Sequence, residues 1–179
     1  KYDGMLYSFE FVETLKEIID KSSEKYPDRY AYMYKDAGEN DFKGITYSNF
    51  KKNIDELGTA LIDMGYKGSK IAVIGENSHR WVMPYFATVS GVGTIVPLDK
   101  NLEIGEIINL MKRADIELAF SSHKMAGKVV KAFSEVDTLK HLVITDESDV
   151  SQWKDSRVVS MDSLLDLGSE LLANGDRRF

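Results

Sequence analysis

The sequence contains no cysteine, only three prolines and only three histidines. Without thiols, the chain cannot form disulfides, use a cysteine nucleophile or bind zinc through cysteine. His79, His123 and His141 lie far apart in the chain and show no metal-ligand spacing, so the sequence predicts no metal site. No apolar run approaches the ~20 residues that a membrane-spanning helix needs.

Positive charge is also scarce relative to negative charge. The 179 residues carry 23 Lys and Arg against 29 Asp and Glu, a net charge of −6 that argues against a nucleic-acid-binding surface. Hydrophobic residues at 43% and charged residues at 29% are typical of a globular domain. The first four residues, Lys1 to Gly4, show neither the basic nor the apolar region of a signal peptide, so we expect a cytoplasmic protein.

The apolar pattern of the chain predicts an α/β fold with a mostly parallel sheet and helices on both faces. Continuous apolar strands that alternate with helices are typical of sheets covered on both sides. The predicted strands are 71–74, 94–96, 117–120 and 142–144, and the helices that alternate with them are 78–89, 103–113, 124–133 and 163–173. The acidic stretch 146–154 has no pattern and is predicted to be a surface loop.

The N-terminal part is predicted to contain two helices and a small hairpin. The first helix, 8–25, would bury the apolar residues Phe11, Val12, Leu15, Ile18 and Ile19. Strands 31–34 and 45–47, joined by a turn over 36–43, would form the hairpin. Ser48 would cap a helix over 49–64 that Gly65 ends, with Phe50, Ile54, Leu57, Leu61 and Met64 on its inner face.

Ligands of parallel sheets bind outside the carboxyl ends of the strands. In this chain those ends are predicted at 75–77, 97–99 and 121–123. Glu76 has no visible acid–base partner, and Asn77 or Ser78 would cap the next helix. The pair Gly91 and Gly93 leaves a helix and opens a strand, the reverse of a dinucleotide-binding motif, and is interpreted as a helix stop with close packing.

Two groups of side chains admit both a structural and a functional interpretation. Trp81, Tyr85 and Phe86 lie at helical spacing, which is typical of a core stripe but would also suit the wall of a pocket. Lys124 and Lys128 share a helix face, which is either solvated or positioned to meet a phosphate. His123 would be exposed or capping. The residues alone provide no self-contained catalytic set.

Several segments in order resemble the early part of adenylate-forming acyl-CoA synthetases, especially the long-chain fatty acid group. The motif 44–50 (Gly-Ile-Thr-Tyr-Ser-Asn-Phe) looks like the first core motif, with Asn49 and Phe50 in place of the usual Glu-Leu. The stretch 57–65 followed by 70–73 fits the helix-then-strand register of the family. Asn77 with Trp81 resembles the Asn-x-x-x-Trp of the long-chain group, and 89–99 resembles the second core motif. The resemblance covers about 8–146.

The resemblance implies an enzyme that forms acyl-AMP and pyrophosphate from ATP and a carboxylate, and then acyl-CoA. The intact enzyme would use ATP, Mg²⁺ and CoA. The Ser/Thr/Gly-rich phosphate loop and the catalytic Lys of such enzymes follow these motifs, and neither has a counterpart here, so no catalytic residue is assigned. Residues 1–179 are therefore expected to be an N-terminal subdomain that ends before the phosphate loop, is inactive alone and binds none of these ligands.

The same resemblance implies peripheral sites and partners. Pro97, Leu98 and Asp99 would lie beside the CoA channel, Lys124 and Lys128 near the CoA nucleotide, and Trp81 and Tyr85 on the acyl-pocket wall. The rest of its own chain would be a partner, and an uncovered apolar face would favour self-association. Two alternatives stay open: the same fold activating an aryl, medium-chain or amino acid, and a stand-alone α/β interaction module without catalysis.

Overall fold

The computed structural model describes residues 11–35, 40–146 and 149–179. Its helices are α1 (Leu15–Lys25), α2 (Tyr47–Asp63), α3 (His79–Ala87), α4 (Ile104–Ala114), α5 (His123–Ala132) and α6 (Met161–Ala173). Its strands are β1 (Tyr30–Tyr34), β2 (Lys43–Thr46), β3 (Lys70–Ile74), β4 (Thr94–Leu98), β5 (Leu118–Ser121), β6 (His141–Ile144) and β7 (Val158–Ser160). A π-helical turn (Thr88–Val92) follows α3, and a 3₁₀ turn (Ser151–Trp153) precedes β7.

Five strands form one parallel sheet in the order β4-β3-β5-β6-β7. Residues 71–74 of β3 are fully buried because β3 pairs with β4 on one side and β5 on the other. The remaining strands, β1 and β2, pair antiparallel as a separate hairpin. The predicted parallel sheet and the predicted hairpin are both confirmed. Residues 36–39 of the predicted hairpin turn lie outside the described residues.

Helices cover both faces of the sheet, as predicted. On one face, side chains such as Ile71 and Val73 pack with the helices α1, α2, α3 and α6. On the other face, Ala72 and Ile74 pack with α4 and α5. Successive strand residues point to opposite faces, so a strand that is apolar throughout is stable only between two such layers.

The strand β4 lies at the edge of the sheet, which corrects the prediction that 94–96 is buried. Among the described strands it pairs only with β3, and its residues Thr94 and Pro97 are exposed. Proline lacks a backbone donor and is tolerated where no further strand pairs. An apolar pattern does not distinguish an edge strand from a central one, so the sequence did not reveal this position.

The first helix is shorter and less buried than predicted. It begins at Leu15, where the Thr14 hydroxyl accepts a hydrogen bond from the Glu17 amide (3.1 Å), and residues 8–10 lie outside the described part. Of its predicted apolar face only Ile19 is fully buried, whereas Phe11 is 73% exposed and Leu15 and Ile18 are each 40% exposed. This apolar surface therefore faces outward.

Two other predictions about the chain are corrected. Thr46, not Ser48, caps α2, because the Thr46 hydroxyl accepts from the Asn49 amide (3.2 Å). The stretch 146–154, of which residues 147 and 148 are not described, contains the 3₁₀ turn, and Trp153 of that turn packs on the α4–α5 side of the core. The short strand β7 that follows was missed because three residues carry too little pattern.

Candidate functional site

Two adjoining clefts open at the carboxyl ends of the parallel strands. The larger, about 1040 Å³, is called the hairpin cleft because residues of β1 form one wall; opposite them lie side chains that include Glu76, Asn77, Arg80, Ser122, Lys124 and Asp162. The smaller, about 580 Å³, is called the tryptophan cleft and is lined by Gly75, Glu76, Asn77, Trp81, Pro97, Leu98, Asp99 and Lys100.

The tryptophan cleft brings together four of the residues predicted from the sequence. Pro97, Leu98 and Asp99 end β4 and face Trp81 at the start of α3. The Asp99 carboxylate accepts from the Asn101 amide (2.8 Å) and side chain (3.0 Å), which folds the loop after β4 back on itself. The lining of the cleft therefore combines an indole ring, two apolar residues of β4 and the charged side chains of Glu76, Asp99 and Lys100.

The aromatic residues Trp81, Tyr85 and Phe86 on α3 are half-buried. They therefore lie neither wholly in the core nor wholly on the surface. The Trp81 and Tyr85 rings stack with centroids 6.0 Å apart and an interplanar angle of 22°. Tyr85 lines neither cleft, and its ring packs against the ring of Trp81. Phe86 packs edge-on against Phe50 of α2, with centroids 6.1 Å apart, and belongs to the core.

The two predicted lysines do not share one site. Lys124 is exposed and lines the hairpin cleft. Lys128 lines neither cleft, is half-buried, and its Nζ donates to the Leu102 carbonyl oxygen (3.2 Å). Lys124 is separated from Pro97, Leu98 and Asp99 by the loop that carries Glu76.

Glu76 has a partner that the sequence did not reveal. The buried Ser122 hydroxyl donates to Glu76 Oε2 (2.7 Å). This hydrogen bond holds the pKa of the Glu76 carboxyl below its ordinary value against the opposing effect of burial, with smaller contributions from the positive charges of Lys124 and Lys100. Ser122 lies 46 residues further along the chain, and only the pairing of β3 with β5 brings the two together.

Arg80 is a second residue that sequence reasoning missed. It lies in the first turn of α3 and donates to the Thr145 carbonyl oxygen (2.8 Å) and to Asp162 Oδ1 (2.7 Å). These bonds tie α3 to the end of β6 and to the first turn of α6. Next to it, the His79 ring lies against Tyr34 of the hairpin, with centroids 4.2 Å apart. Hydrogen bonds and a ring contact between side chains thus connect α3 to β6, α6 and the hairpin along the wall of the hairpin cleft.

Neither a metal site nor a membrane-spanning helix is found in the described part of the chain. Among residues 11–35, 40–146 and 149–179, no group of three or more His, Asp or Glu side chains is arranged to hold a metal ion. Within the same ranges, every helix is too short or too polar to cross a bilayer.

The five-stranded parallel sheet, its covering helices and the separate hairpin define an α/β architecture. Residues 19–167 match the family described as AMP-binding enzyme, which is well over half of the chain. The chain therefore belongs to the AMP-binding enzyme family.

Among its relatives, fatty acyl-CoA synthetase B of Dictyostelium discoideum is 23% identical over 177 residues, covering 93% of this chain and 26% of that protein. Long-chain-fatty-acid–CoA ligase 5 of Rattus norvegicus is 26% identical over 82% of this chain and 22% of that protein. The adenylation domain of a carboxylate reductase from Mycobacterium chelonae has the same fold, with a TM-score of 0.78, 18% identity, and coverage of 90% of this chain and 30% of that one. The chain spans about a quarter of the relatives' length.

Proposed function

We propose that residues 1–179 form the N-terminal subdomain of an AMP-forming long-chain fatty acid–CoA ligase. The observation that carries this proposal is the tryptophan cleft, in which Trp81 meets Pro97, Leu98 and Asp99 at the carboxyl edge of a sheet from this family. Two relatives are named as fatty acyl-CoA or long-chain-fatty-acid–CoA enzymes, which supports the choice of acid. A cytoplasmic location belongs to the same proposal.

The proposed reaction has two steps. A carboxylate oxygen of the acid attacks the α-phosphorus of ATP, the bond to the bridging oxygen breaks, and pyrophosphate leaves. The CoA thiolate then attacks the acyl carbon of acyl-AMP, and AMP leaves with the electrons of the broken C–O bond. This chain would contribute walls to the acyl and CoA sites. The contact between the Ser122 hydroxyl and the Glu76 carboxylate is given a positioning role and not a catalytic one, because Ser122 is buried.

Individual side chains would have separate roles in these sites. Trp81, supported by Tyr85, would contact the acyl chain. Pro97, Leu98 and Asp99 would line the path of the CoA pantetheine arm. Lys124, exposed in the hairpin cleft, would approach a CoA phosphate, while Lys128 would mainly fix the loop at Leu102. No described residue is assigned to Mg²⁺, which the intact enzyme would use together with ATP.

The rest of the same chain is the proposed partner of the apolar surface that faces outward. Phe11, Tyr30, Met33 and Phe42 are each at least 59% exposed, and Leu15 and Ile18 add to this surface. The relatives are about four times as long as this chain, so the remaining sequence has ample length to cover it. In the 179-residue chain alone, the surface would favour self-association.

The proposal is tested by sequencing the gene past the codon for Phe179 and expressing the complete reading frame; a stop codon at that point would support the stand-alone module. ATP–pyrophosphate exchange would be measured with long-chain, medium-chain, aryl and amino acids. We expect exchange with long-chain acids by the longer protein and none by the 179-residue chain. A preference for aryl or amino acids would replace the fatty acid in this proposal, and exchange with no acid would support the non-catalytic module.

Lys124→Ala in the longer protein separates the CoA site from the acid site. It should raise the KM for CoA about fivefold, the effect of losing one exposed ion pair with a phosphate, and leave ATP–pyrophosphate exchange unchanged because exchange precedes CoA binding. Lys131→Ala, on the same helix but outside both clefts, is the matched control. Equal effects of the two variants would contradict the role of Lys124.

A further inference from the structure

The two clefts are separated by one short segment. Glu76 and Asn77 line both of them, and Gly75 lines the tryptophan cleft. These three residues, here called the partition, connect the end of β3 to the start of α3. Whatever fixes the partition therefore fixes the shape of both clefts.

On the sheet side, the partition rests on Ser122. The Ser122 hydroxyl donates to Glu76 Oε2 (2.7 Å), and the Ser122 amide donates to the Ile74 carbonyl oxygen (3.2 Å). Ser122 is only 5% exposed, so this hydrogen bond anchors the partly buried Glu76 carboxylate to a buried hydroxyl. Gly75 approaches so closely that a side chain there would lie 3.0 Å from the Ser122 hydroxyl oxygen.

On the helix side, the residues after the partition are fixed independently. The Ser78 hydroxyl accepts from the Trp81 amide (3.1 Å) and caps α3. Arg80 bonds to Thr145 and Asp162. With the residues on both sides of the partition anchored, the hydrogen bond from Ser122 to Glu76 is the side-chain contact that ties the middle of the partition to the sheet.

We propose that the hydrogen bond from Ser122 to Glu76 keeps the two clefts separate, and that Glu76 is a positioning residue that limits the size of ligand accepted by the tryptophan cleft. With the bond broken, the partition swings away and the clefts merge. The ligand class, an acyl chain with its CoA arm, rests on the proposed function; the separation of the clefts does not.

Charge reinforces the same arrangement. Lys124 lines the hairpin cleft, Lys100 lines the tryptophan cleft, and the Glu76 carboxylate lies between them. Removing the carboxylate removes both an acceptor for Ser122 and the negative charge between two lysines. Gln at position 76 separates these effects, because its amide oxygen still accepts a hydrogen bond but carries no charge.

The chain has no cysteine, so a single Asn77→Cys substitution gives a unique site for a nitroxide label. Electron paramagnetic resonance then reports the mobility of the partition in the 179-residue chain, after circular dichroism has shown that each variant is folded. We expect Glu76→Ala and Ser122→Ala each to raise the mobile fraction about tenfold, the effect of losing a hydrogen bond to a charged group. Their effects should not add in the double variant.

Two further variants complete this test. Glu170→Ala, an exposed carboxylate on α6 outside both clefts, should leave the spectrum unchanged. Glu76→Gln should keep the label immobile, and a mobile label there would show that charge rather than the hydrogen bond holds the partition. Unchanged mobility in both Glu76→Ala and Ser122→Ala would overturn the proposal. If one of these fails to fold, the other decides, since each removes one end of the same bond.

In the longer protein, Glu76→Ala should extend the range of acids that support ATP–pyrophosphate exchange toward bulkier ones. The KM for the acid should change more than kcat. An unchanged acid profile together with a mobile label would limit Glu76 to a structural role and overturn its effect on ligand size. A protein without any exchange activity would defeat the proposed function, while the spectra would still decide whether the partition separates the clefts.

Discussion

Substituting Gly168 by alanine probes the closest contact between two layers of the fold. Gly168 lies inside α6, buried against α2. A Cβ there would lie 1.9 Å from the carbonyl oxygen of Glu56 and 2.5 Å from its carbonyl carbon. Non-bonded carbon atoms prefer about 3.5–4.0 Å. The atoms that the methyl group meets are backbone atoms of α2, so no side-chain rotation relieves the contact and the helices must move apart.

Two opposing effects set the magnitude. Alanine is favoured over glycine inside a helix by about 1 kcal/mol. Overpacking a well-packed interface costs about 1–3 kcal/mol, and the rigid backbone here points to the upper end. The free energy of unfolding should therefore fall by about 2 kcal/mol in Gly168→Ala. The sign follows from the contact with Glu56, since helix propensity alone predicts a gain.

Gly105→Ala is the matched control, because Gly105 also lies in a helix but has no atom within 4 Å of an added Cβ. Urea unfolding followed by circular dichroism should show a lower midpoint for Gly168→Ala and an unchanged or higher midpoint for Gly105→Ala. The free energy of unfolding of Gly105→Ala should rise by at most about 1 kcal/mol. A Gly168→Ala chain as stable as the unaltered one would refute the reasoning, since α6 could not then lie on α2 as described.

Two more predictions concern polar contacts. The Tyr66 hydroxyl is hydrogen-bonded to the Nδ1 atom of His141, and burial lowers the pKa of His141. The free energy of unfolding should therefore decline as pH falls below the ordinary histidine value near 6.5. His141→Asn keeps a hydrogen-bonding group without titrating, and parallel pH profiles of unfolding free energy for the two chains would contradict this. Arg80→Met should lower the unfolding free energy by about 1–2 kcal/mol, because the half-buried hydrogen bonds to Thr145 and Asp162 are lost. Lys70→Met, which removes the exposed ion pair with Asp115, should cost at most ~0.5 kcal/mol. Equal urea midpoints for these variants would count against the role of Arg80 in connecting α3 to β6 and α6.

The sequence was sufficient to predict the parallel sheet because its strands are apolar throughout. Ile71, Ala72, Val73 and Ile74 alternate between two covered faces, and only a sheet between two helical layers buries all four. Gly93 also behaves as interpreted, since a side chain there would lie 2.1 Å from the Ser69 carbonyl oxygen, a contact that only glycine permits. Both the burial of a strand on two faces and the close approach at a glycine are visible in a few consecutive residues of the sequence, so both could be predicted.

The parts that escaped prediction depend on pairing between distant segments. The edge position of β4 follows from strand order, which apolar pattern does not encode. The apolar residues on the outward face of α1 have the same helical spacing as those on a buried face. The pattern therefore did not predict that Leu15 and Ile18 are exposed. The hydrogen bonds of Glu76 and Arg80 join residues 46 and 82 positions apart, and no spacing rule reaches that far.

The charge arrangement at the start of α5 constrains how this edge of the sheet meets an anionic ligand. Helix N-termini attract anions, but here the Asp146 carboxylate already accepts from the His123 amide (2.6 Å). Ser122, the residue before the helix, does not cap it with its side chain, because that hydroxyl is engaged by Glu76. The Asp146 carboxylate thus already engages one amide at this helix N-terminus, and the Glu76 carboxylate engages the adjacent Ser122 hydroxyl. A phosphate that reaches Lys124 would meet it as a single point charge beside these carboxylates, so we expect residues 1–179 alone to bind an anionic ligand only weakly at this edge.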